Sequence, residues 1–121
     1  MGSIKPFSTI YSCITLLLLT ASSLALAELK VFTLTLENHV FTPQEIQIPA
    51  NQKVKLVIEN KDDLAEEFDS FDLNRERVIF ANKKASIYIG PLEPGRYEFF
   101  GEFNPHTARG YVVVKEENKD D

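Results

Sequence analysis

Short runs of alternating apolar and polar residues are the feature that most limits the fold of this chain. After residue 27, no stretch shows the 3.6-residue period of an amphipathic helix, whereas period-two alternation recurs along the chain. Turn residues separate the runs, among them Pro49-Ala50-Asn51 and Gly90-Pro91. Seven or eight short strands at this spacing predict an all-β antiparallel sandwich or barrel. The candidate strands are 31–36, 45–48, 53–58, 77–80, 85–89, 96–100 and 111–115.

The N-terminal segment has the features of an export signal. Lys5 supplies a positive charge, an apolar run follows from Cys13 to Leu19, and Ala25-Leu26-Ala27 offers small residues to a signal peptidase. An uncleaved membrane anchor is the alternative, because residues 7–27 approach the roughly 20 apolar residues that span a bilayer. Serine and threonine residues dilute this stretch, which favours cleavage after Ala27.

The chain is predicted to have three parts, namely a signal peptide at residues 1–27, a folded domain at 28–115 and a charged flexible tail at 116–121. Its formal net charge is −5, and loss of Lys5 with the signal leaves the exported part more acidic. An acidic surface without a basic cluster argues against nucleic acid and anionic membranes as partners. It is compatible with cationic ligands, including metal ions.

The sulfur-containing residues restrict the chemistry of the exported part. Cys13 and Met1 are the chain's single cysteine and single methionine, and both precede the predicted cleavage point. Packing alone must therefore stabilise the exported domain, because no disulfide can form. A blue-copper centre needs a cysteine thiolate with two histidines, so type 1 copper is excluded. The sequence also lacks a nucleophile–base spacing, a phosphate-binding loop and a zinc pattern, so we expect a protein that is not an enzyme.

The segment LEPGRY at 92–97 has the form L-x-P-G-x-Y. The Pro-Gly pair favours a tight turn, and Tyr97 then enters the next strand. Its hydroxyl can there reach back to the upstream backbone, as in the tyrosine corner of Greek-key sandwiches. The alternative is an ordinary turn followed by a core tyrosine, and the surrounding strand pattern favours the corner.

Longer segments resemble a known family. FTPQEIQIPAN at 41–51 resembles the opening of bacterial cupredoxins, and LEPGRY with the valine-rich segment after Gly110 resembles their close. More narrowly, EEFDS at 66–70 and FGEFNPHTARG at 100–110 are similar to the EfeO-type cupredoxin-like family. The resemblance implies a cupredoxin-like Greek-key β-sandwich of seven to eight strands. It also implies a periplasmic location and a role in bacterial iron uptake, with an inner-membrane iron permease or another periplasmic uptake component as partner.

Copper-binding cupredoxins carry their ligands at positions where this sequence departs from the family pattern. The resemblance places Glu66 or Glu67 at the first histidine, Gly101 at the cysteine and Asn104 at the histidine of the last loop. No methionine follows in that loop. These departures remove each soft ligand of a blue-copper site.

Four other groups are candidates for a metal site of a different kind: Glu67, Asp69, Glu102 and His106. The resemblance places the two segments that carry them near the same end of the sandwich. Carboxylates with one imidazole form a hard, oxygen-rich site, which suits iron, manganese or non-blue copper(II) better than copper(I). We therefore predict that the protein binds iron or copper(II) through these residues, as an accessory protein of iron uptake.

Several of these residues also have a plainer interpretation. Glu66-Glu67 follows Asp62-Asp63, and an acidic run is usually a solvated loop. His106 lies in a Pro-x-Thr loop, where a surface histidine is common. Arg75-Glu76-Arg77 is typical of an exposed turn held by salt bridges.

A second function class follows from the loss of the soft ligands. A cupredoxin-fold domain that has lost its metal can serve as an interaction module, because a fold does not fix a function. Such a module would expose Phe71, Phe80 or Phe103 at the loop end of the sandwich. It would also be favoured if Glu102 and His106 pointed apart.

Overall fold

In a computed structural model, residues 2–3 and 28–116 are described, and they contain nine strands. The predicted signal peptide, apart from residues 2–3, and all of the predicted tail except Glu116 lie outside the described residues. The strands are β1 (Val31–Glu37), β2 (Val40–Thr42), β3 (Glu45–Pro49), β4 (Val54–Asn60), β5 (Glu66–Ser70), β6 (Arg75–Ile79), β7 (Lys84–Ile89), β8 (Gly95–Gly101) and β9 (Arg109–Lys115). In this part of the chain, the structure has no helix long and apolar enough to cross a membrane.

The strands form two sheets. One has four strands in the order β2-β1-β4-β7, and the other has five in the order β3-β9-β8-β5-β6. The predicted all-β sandwich is confirmed, but the prediction of purely antiparallel pairing is wrong. β1 pairs with β4 and β3 pairs with β9 in parallel. Alternation in a sequence reports which face of a strand is buried, and it carries no information about the direction of the neighbouring strand.

Both sheets contribute to one apolar core. Phe41 on β2, Phe68 on β5 and Phe99 on β8 are fully buried. Their ring centroids lie 6.2 Å (Phe41–Phe68), 5.4 Å (Phe41–Phe99) and 5.1 Å (Phe68–Phe99) apart. Aromatic pairs at such distances stabilise a core by about 0.5–1.5 kcal/mol beyond the area that they bury. The three rings join the two sheets, since β2 belongs to one sheet and β5 and β8 to the other.

The turn before β8 has the geometry predicted from its sequence. The hydroxyl of Tyr97 donates a hydrogen bond of 2.7 Å to the carbonyl oxygen of Glu93. This bond from the strand back to the upstream turn confirms the tyrosine corner. It fixes the start of β8, and the other end of β8 leads into the loop that contributes Glu102 to the candidate site.

Two strands are missing from the sequence prediction. β2 is only three residues long, which is too short to show a period. β5 begins with Glu66-Glu67, the second half of the acidic run that favours a solvated loop, and that interpretation is wrong for these two residues. Glu66 and Asp69 are only 1% and 6% exposed, respectively. Phe68 draws this segment into the core, while β6 and β8 pair with its backbone on either side.

The segment Arg75-Glu76-Arg77 also differs from its prediction. It does not form a turn but begins β6, the edge strand of the five-stranded sheet. Of the five residues of β6, only Ile79 is buried, so an outer strand with polar side chains gives almost no hydrophobic alternation to recognise. The consequence for function is that Glu76 lies beside β5.

Candidate metal-binding site

The face of β5 that points away from the core carries two acidic residues. Phe68 points into the core, so its neighbours Glu67 and Asp69 point to the opposite side of the sheet. In the register between β5 and β6, Asp69 lies opposite Glu76. Glu102 directly follows β8, and its backbone N–H donates a 2.9 Å hydrogen bond to the carbonyl oxygen of Glu67. Two strands, β5 and β6, and the loop after β8 thus bring four acidic residues together.

The carboxylates of these residues converge. Glu67, Asp69 and Glu76 each offer one oxygen, and these oxygens lie within 4.8 Å of one another. The carboxyl group of Glu102 is close enough to Asp69 to share a hydrogen bond with it. We call these four residues the acidic cluster. All of its potential ligands are oxygens, the donor type that hard cations prefer.

The charges of the acidic cluster change the pKa of Glu102. This pKa is raised above its ordinary value of 4.5, first by the hydrogen bond with Asp69 and then by partial desolvation. The negative charges of Asp69, Glu67 and Glu76 raise it further. Like charges disfavour the ionised form of a carboxyl group. A proton or a metal cation bound here would relieve that repulsion.

His106 lies apart from the acidic cluster. It lines a surface groove on the side of β3 and β9, whereas the cluster lies on the side of β5 and β6, and β8 separates the two. The other residues that line this groove are Gln44, Glu45, Thr107, Arg109, Gly110 and Tyr111. The structure therefore brings together Glu67, Asp69 and Glu102, adds Glu76, and places His106 elsewhere.

Glu66 has a different environment from the acidic cluster, although it is next to Glu67 in the chain. It is buried, and its Oε1 accepts hydrogen bonds from the backbone N–H groups of Glu67, at 3.0 Å, and Phe103, at 2.8 Å. Its Oε2 accepts a 2.7 Å bond from the side-chain amide of Asn104. The described residues contain no buried side-chain nitrogen or oxygen without a hydrogen-bond partner.

Gly101 lies against the same carboxylate. A Cβ atom built on Gly101 would lie 2.7 Å from Cδ of Glu66 and 2.8 Å from Cβ of Ala108, both closer than real contacts allow. The positions that the resemblance equates with copper ligands thus do meet in space, with Glu66 at the first of them. They do not fit a blue-copper centre, because they supply neither thiolate nor imidazole and because the Glu66 carboxylate fills the space beside Gly101.

Exposed apolar side chains surround this end of the sandwich. Two phenylalanines lie near Glu66 along the backbone. Phe80 follows Ile79, which lies opposite Glu66 in the β5–β6 register. The backbone N–H of Phe103 donates a hydrogen bond to the Glu66 carboxylate. Leu64 is close by, since Asn60 Nδ2 donates to the carbonyl oxygens of both Leu64 and Ile79. We call Leu64, Phe80 and Phe103 the end patch, and they are 66%, 68% and 55% exposed. Phe71 is also uncovered, beside Phe100 at a centroid distance of 5.6 Å.

A two-sheet β-sandwich with these landmarks is a cupredoxin-like architecture, and comparison with known families agrees. The chain belongs to the cupredoxin-like domain family, whose model matches residues 9–114. The match begins inside the predicted signal peptide, so it does not test the boundary at residue 27. The narrower resemblance to the EfeO-type family stays a prediction.

One sequence relative is the uncharacterized protein RP394 of Rickettsia prowazekii (strain Madrid E). It is 40% identical over 83 residues, which cover 69% of this chain and 66% of that protein. The chain therefore matches slightly less than two thirds of the length of this relative.

Solved structures with the same fold include copper proteins. The metal-binding domain of the Cu(I)-exporting P-type ATPase CopA of Streptococcus pneumoniae D39, with Cu(I), has a TM-score of 0.61 at 18% identity, covering 71% of this chain and 85% of that one. An amicyanin variant in its reduced Cu(I) form has a TM-score of 0.57 at 14% identity, covering 70% and 82%. At such identities the likeness shows the fold alone.

Proposed function

We propose that this protein is an exported, non-catalytic cupredoxin-like protein that binds iron or non-blue copper(II) at the acidic cluster. The observation that carries the proposal is the convergence of Glu67, Asp69 and Glu76, whose carboxylate oxygens lie within 4.8 Å of one another. Asp69 also raises the pKa of the Glu102 carboxyl group, which indicates that Glu102 lies beside these three residues. Carboxylate oxygens suit hard cations, and a bound cation would relieve the repulsion that raises the pKa of Glu102.

The exposure of the acidic cluster indicates how such a site would act. Glu76 and Glu102 are exposed, whereas Asp69 is buried beneath its neighbours. A cation held there would keep water on its open side and would be released readily. Weak, reversible coordination suits a protein that receives a metal ion and passes it on.

We propose that this protein receives and passes on metal ions in the periplasm, as an accessory of iron uptake, with an inner-membrane iron permease or another periplasmic uptake component as partner. This role rests on the resemblance of segments 66–70 and 100–110 to the EfeO-type family.

Calorimetric titration tests the metal site. The full chain is expressed with its own N-terminal segment, and the exported, metal-free product is titrated with iron(II), iron(III) and copper(II). The cluster variant carries Glu67→Gln, Asp69→Asn and Glu102→Gln. We expect stoichiometric binding to the wild type and its loss in this variant.

The matched control removes the same number of charges elsewhere. Its substitutions are Glu37→Gln, Glu59→Gln and Glu93→Gln, none of which lies in the acidic cluster. Binding should persist in this control. Absence of binding to the wild type, or equal loss in both variants, would contradict the proposed metal site.

A second function, that of a metal-free interaction module, has specific support in three exposed aromatic side chains. Phe71, Phe80 and Phe103 are all uncovered, as such a module requires. The separation of His106 from Glu102 also favours the interaction module. A photo-crosslinking amino acid at position 80 should then trap a partner protein in cells, whereas one at the exposed Thr33 of β1 should not. Equal crosslinking from both positions would argue against a specific surface.

A further inference from the structure

A buried glutamate lies at the point where the resemblance places the copper ligands, and the metal site proposed above does not use it. Glu66 is 1% exposed. Its partners Phe103 and Asn104 are 37 and 38 residues further along the chain. The carboxylate therefore joins β5 to the loop at 102–108, which connects β8 to β9.

The groups that face Glu66 are suited to an anion. Two backbone N–H groups point at Oε1 and one side-chain amide N–H points at Oε2. An N–H group donates hydrogen bonds and offers no lone pair to a cation. These three N–H groups thus bind the Glu66 carboxylate, and they could not serve as ligands of a metal ion.

The shape of this region agrees with its hydrogen bonds. Gly101 has no side chain, and the place that its Cβ would take is crowded by the carboxylate of Glu66 on one side and the methyl group of Ala108 on the other. A side chain at position 101 therefore requires both the Glu66 carboxylate and the methyl group of Ala108 to move. The missing side chain at one position provides the space for the carboxylate at the other.

We propose that the Glu66 carboxylate is an internal replacement for the metal ion of copper-binding cupredoxins. It cross-links β5 to the loop at 102–108 and closes the former copper position. In doing so it acts as a positioning residue for the loop residues Glu102 and Phe103. The cross-link does not depend on metal binding at the acidic cluster, so the two proposals can fail separately.

Amide hydrogen exchange measured by NMR tests the cross-link in the exported protein. Phe103 has an exposed side chain, yet its N–H should exchange slowly because Glu66 accepts it. In Glu66→Ala, its exchange should become at least about tenfold faster relative to that of Tyr111, whose N–H bonds to Gln44 in another part of the sheet. The control is Glu59→Ala, a glutamate of the other sheet. Unprotected exchange of Phe103 in the wild type, or the same acceleration in the control, would overturn the inference.

Copper binding tests whether Glu66 closes the site. Glu66→His, Gly101→Cys and Asn104→His together restore a two-histidine, one-cysteine donor set. The comparison variant carries Gly101→Cys and Asn104→His and keeps Glu66. With copper(II) as the probe, we expect the intense blue thiolate absorption in the triple variant and its absence in the double variant. A folded triple variant that takes up no copper, or a double variant that binds equally well, would overturn the inference.

A smaller pair of substitutions keeps the inference testable if the triple variant does not fold. Gly101→Ala should lower the denaturant midpoint in the wild type and should lower it less in the Glu66→Ala background, because the alanine methyl group would occupy the space vacated by the carboxylate. Additive effects of the two substitutions would show that they do not share this space.

Discussion

The side-chain amide of Asn104 donates a 2.7 Å hydrogen bond to Oε2 of Glu66, across 38 residues of sequence. The resemblance equates these two residues with positions that hold copper ligands in copper-binding cupredoxins. Here the same two positions are joined directly, and the connection is a hydrogen bond between side chains. A hydrogen bond to a charged acceptor stabilises by about 1.5–3 kcal/mol.

Removal of the Glu66 carboxylate should be costly for stability. Glu66→Ala leaves the N–H of Phe103 and the amide of Asn104 without their acceptor, and each such loss costs about 1–3 kcal/mol. We expect a decrease of about 3 kcal/mol in the free energy of unfolding, measured by urea denaturation. Glu66→Gln should cost less, because the amide of Asn104 can rotate and present its oxygen to the new NH2 group. The half-buried Glu59 provides the control, and Glu59→Ala should change stability by no more than about 0.5 kcal/mol.

Two glycines that begin and end β8 should respond differently to alanine. At Gly101 the new Cβ would lie 2.7 Å from Cδ of Glu66, so Gly101→Ala should cost about 1–3 kcal/mol through overpacking. At Gly95 the nearest atom, in the ring of Tyr97, is 3.6 Å from the built Cβ, an ordinary contact. Gly95→Ala should therefore be tolerated. Thermal unfolding of the two variants measures the difference, and similar melting temperatures would contradict the packing described at Gly101.

The raised pKa of Glu102 predicts a pH dependence for the metal-free protein. Its pKa is higher in the folded state than the ordinary 4.5, so folding favours the protonated form. The stability that this proton contributes is fully present below pH 4.5, and it is lost as the pH rises through the raised pKa of the folded state. Glu102→Gln should remove this part of the pH dependence. Urea denaturation at a series of pH values measures it, and an unchanged profile in the variant would contradict the assignment to Glu102.

The same pKa predicts competition between protons and metal. Below the raised pKa of Glu102, a cation at the acidic cluster must displace the proton from this residue, so metal affinity should fall as the pH drops through that range. Titrations with copper(II) at several pH values should show proton release on binding, observed as a dependence of the heat on the ionisation enthalpy of the buffer. In Glu102→Gln this release should decrease. Equal release from wild type and variant would assign the displaced proton to another group.

The sequence predicts the fold better than it predicts the site. Regular alternation in β4 and β7 and the L-x-P-G-x-Y signal before β8 depend on local rules, and the structure agrees with them. The direction of the β1–β4 and β3–β9 pairings depends on which strands meet, and no local pattern encodes that. The sequence does not predict β5, for a different reason. Its acidic residues have the composition of a solvated loop, and two of the groups that satisfy the buried Glu66 carboxylate, on Phe103 and Asn104, lie 37 and 38 residues further along the chain.

The candidate site shows the same limit. Glu76 has the context of a surface ion pair in sequence, and its neighbours Arg75 and Arg77 point to that interpretation. Only the β5–β6 register brings it opposite Asp69. Conversely, His106 is four residues from Glu102 in sequence, yet the turn at 102–108 directs it to a groove beside β3 and β9. Nearness in sequence does not determine the side of a loop on which a side chain lies.

This difference between Glu76 and His106 gives a direct test of which side chains form the site. Glu76→Gln removes a carboxylate whose oxygen lies within 4.8 Å of those of Glu67 and Asp69, so the affinity for iron or copper(II) should fall by about tenfold. His106→Ala removes an imidazole on the other side of β8 and should leave the affinity unchanged. Calorimetric titration of both variants at one pH measures the contrast. The reverse result, loss with His106→Ala and none with Glu76→Gln, would move the metal to the groove beside β3 and β9. The four carboxylates would then be a solvated acidic surface, and the end patch would be the stronger guide to function.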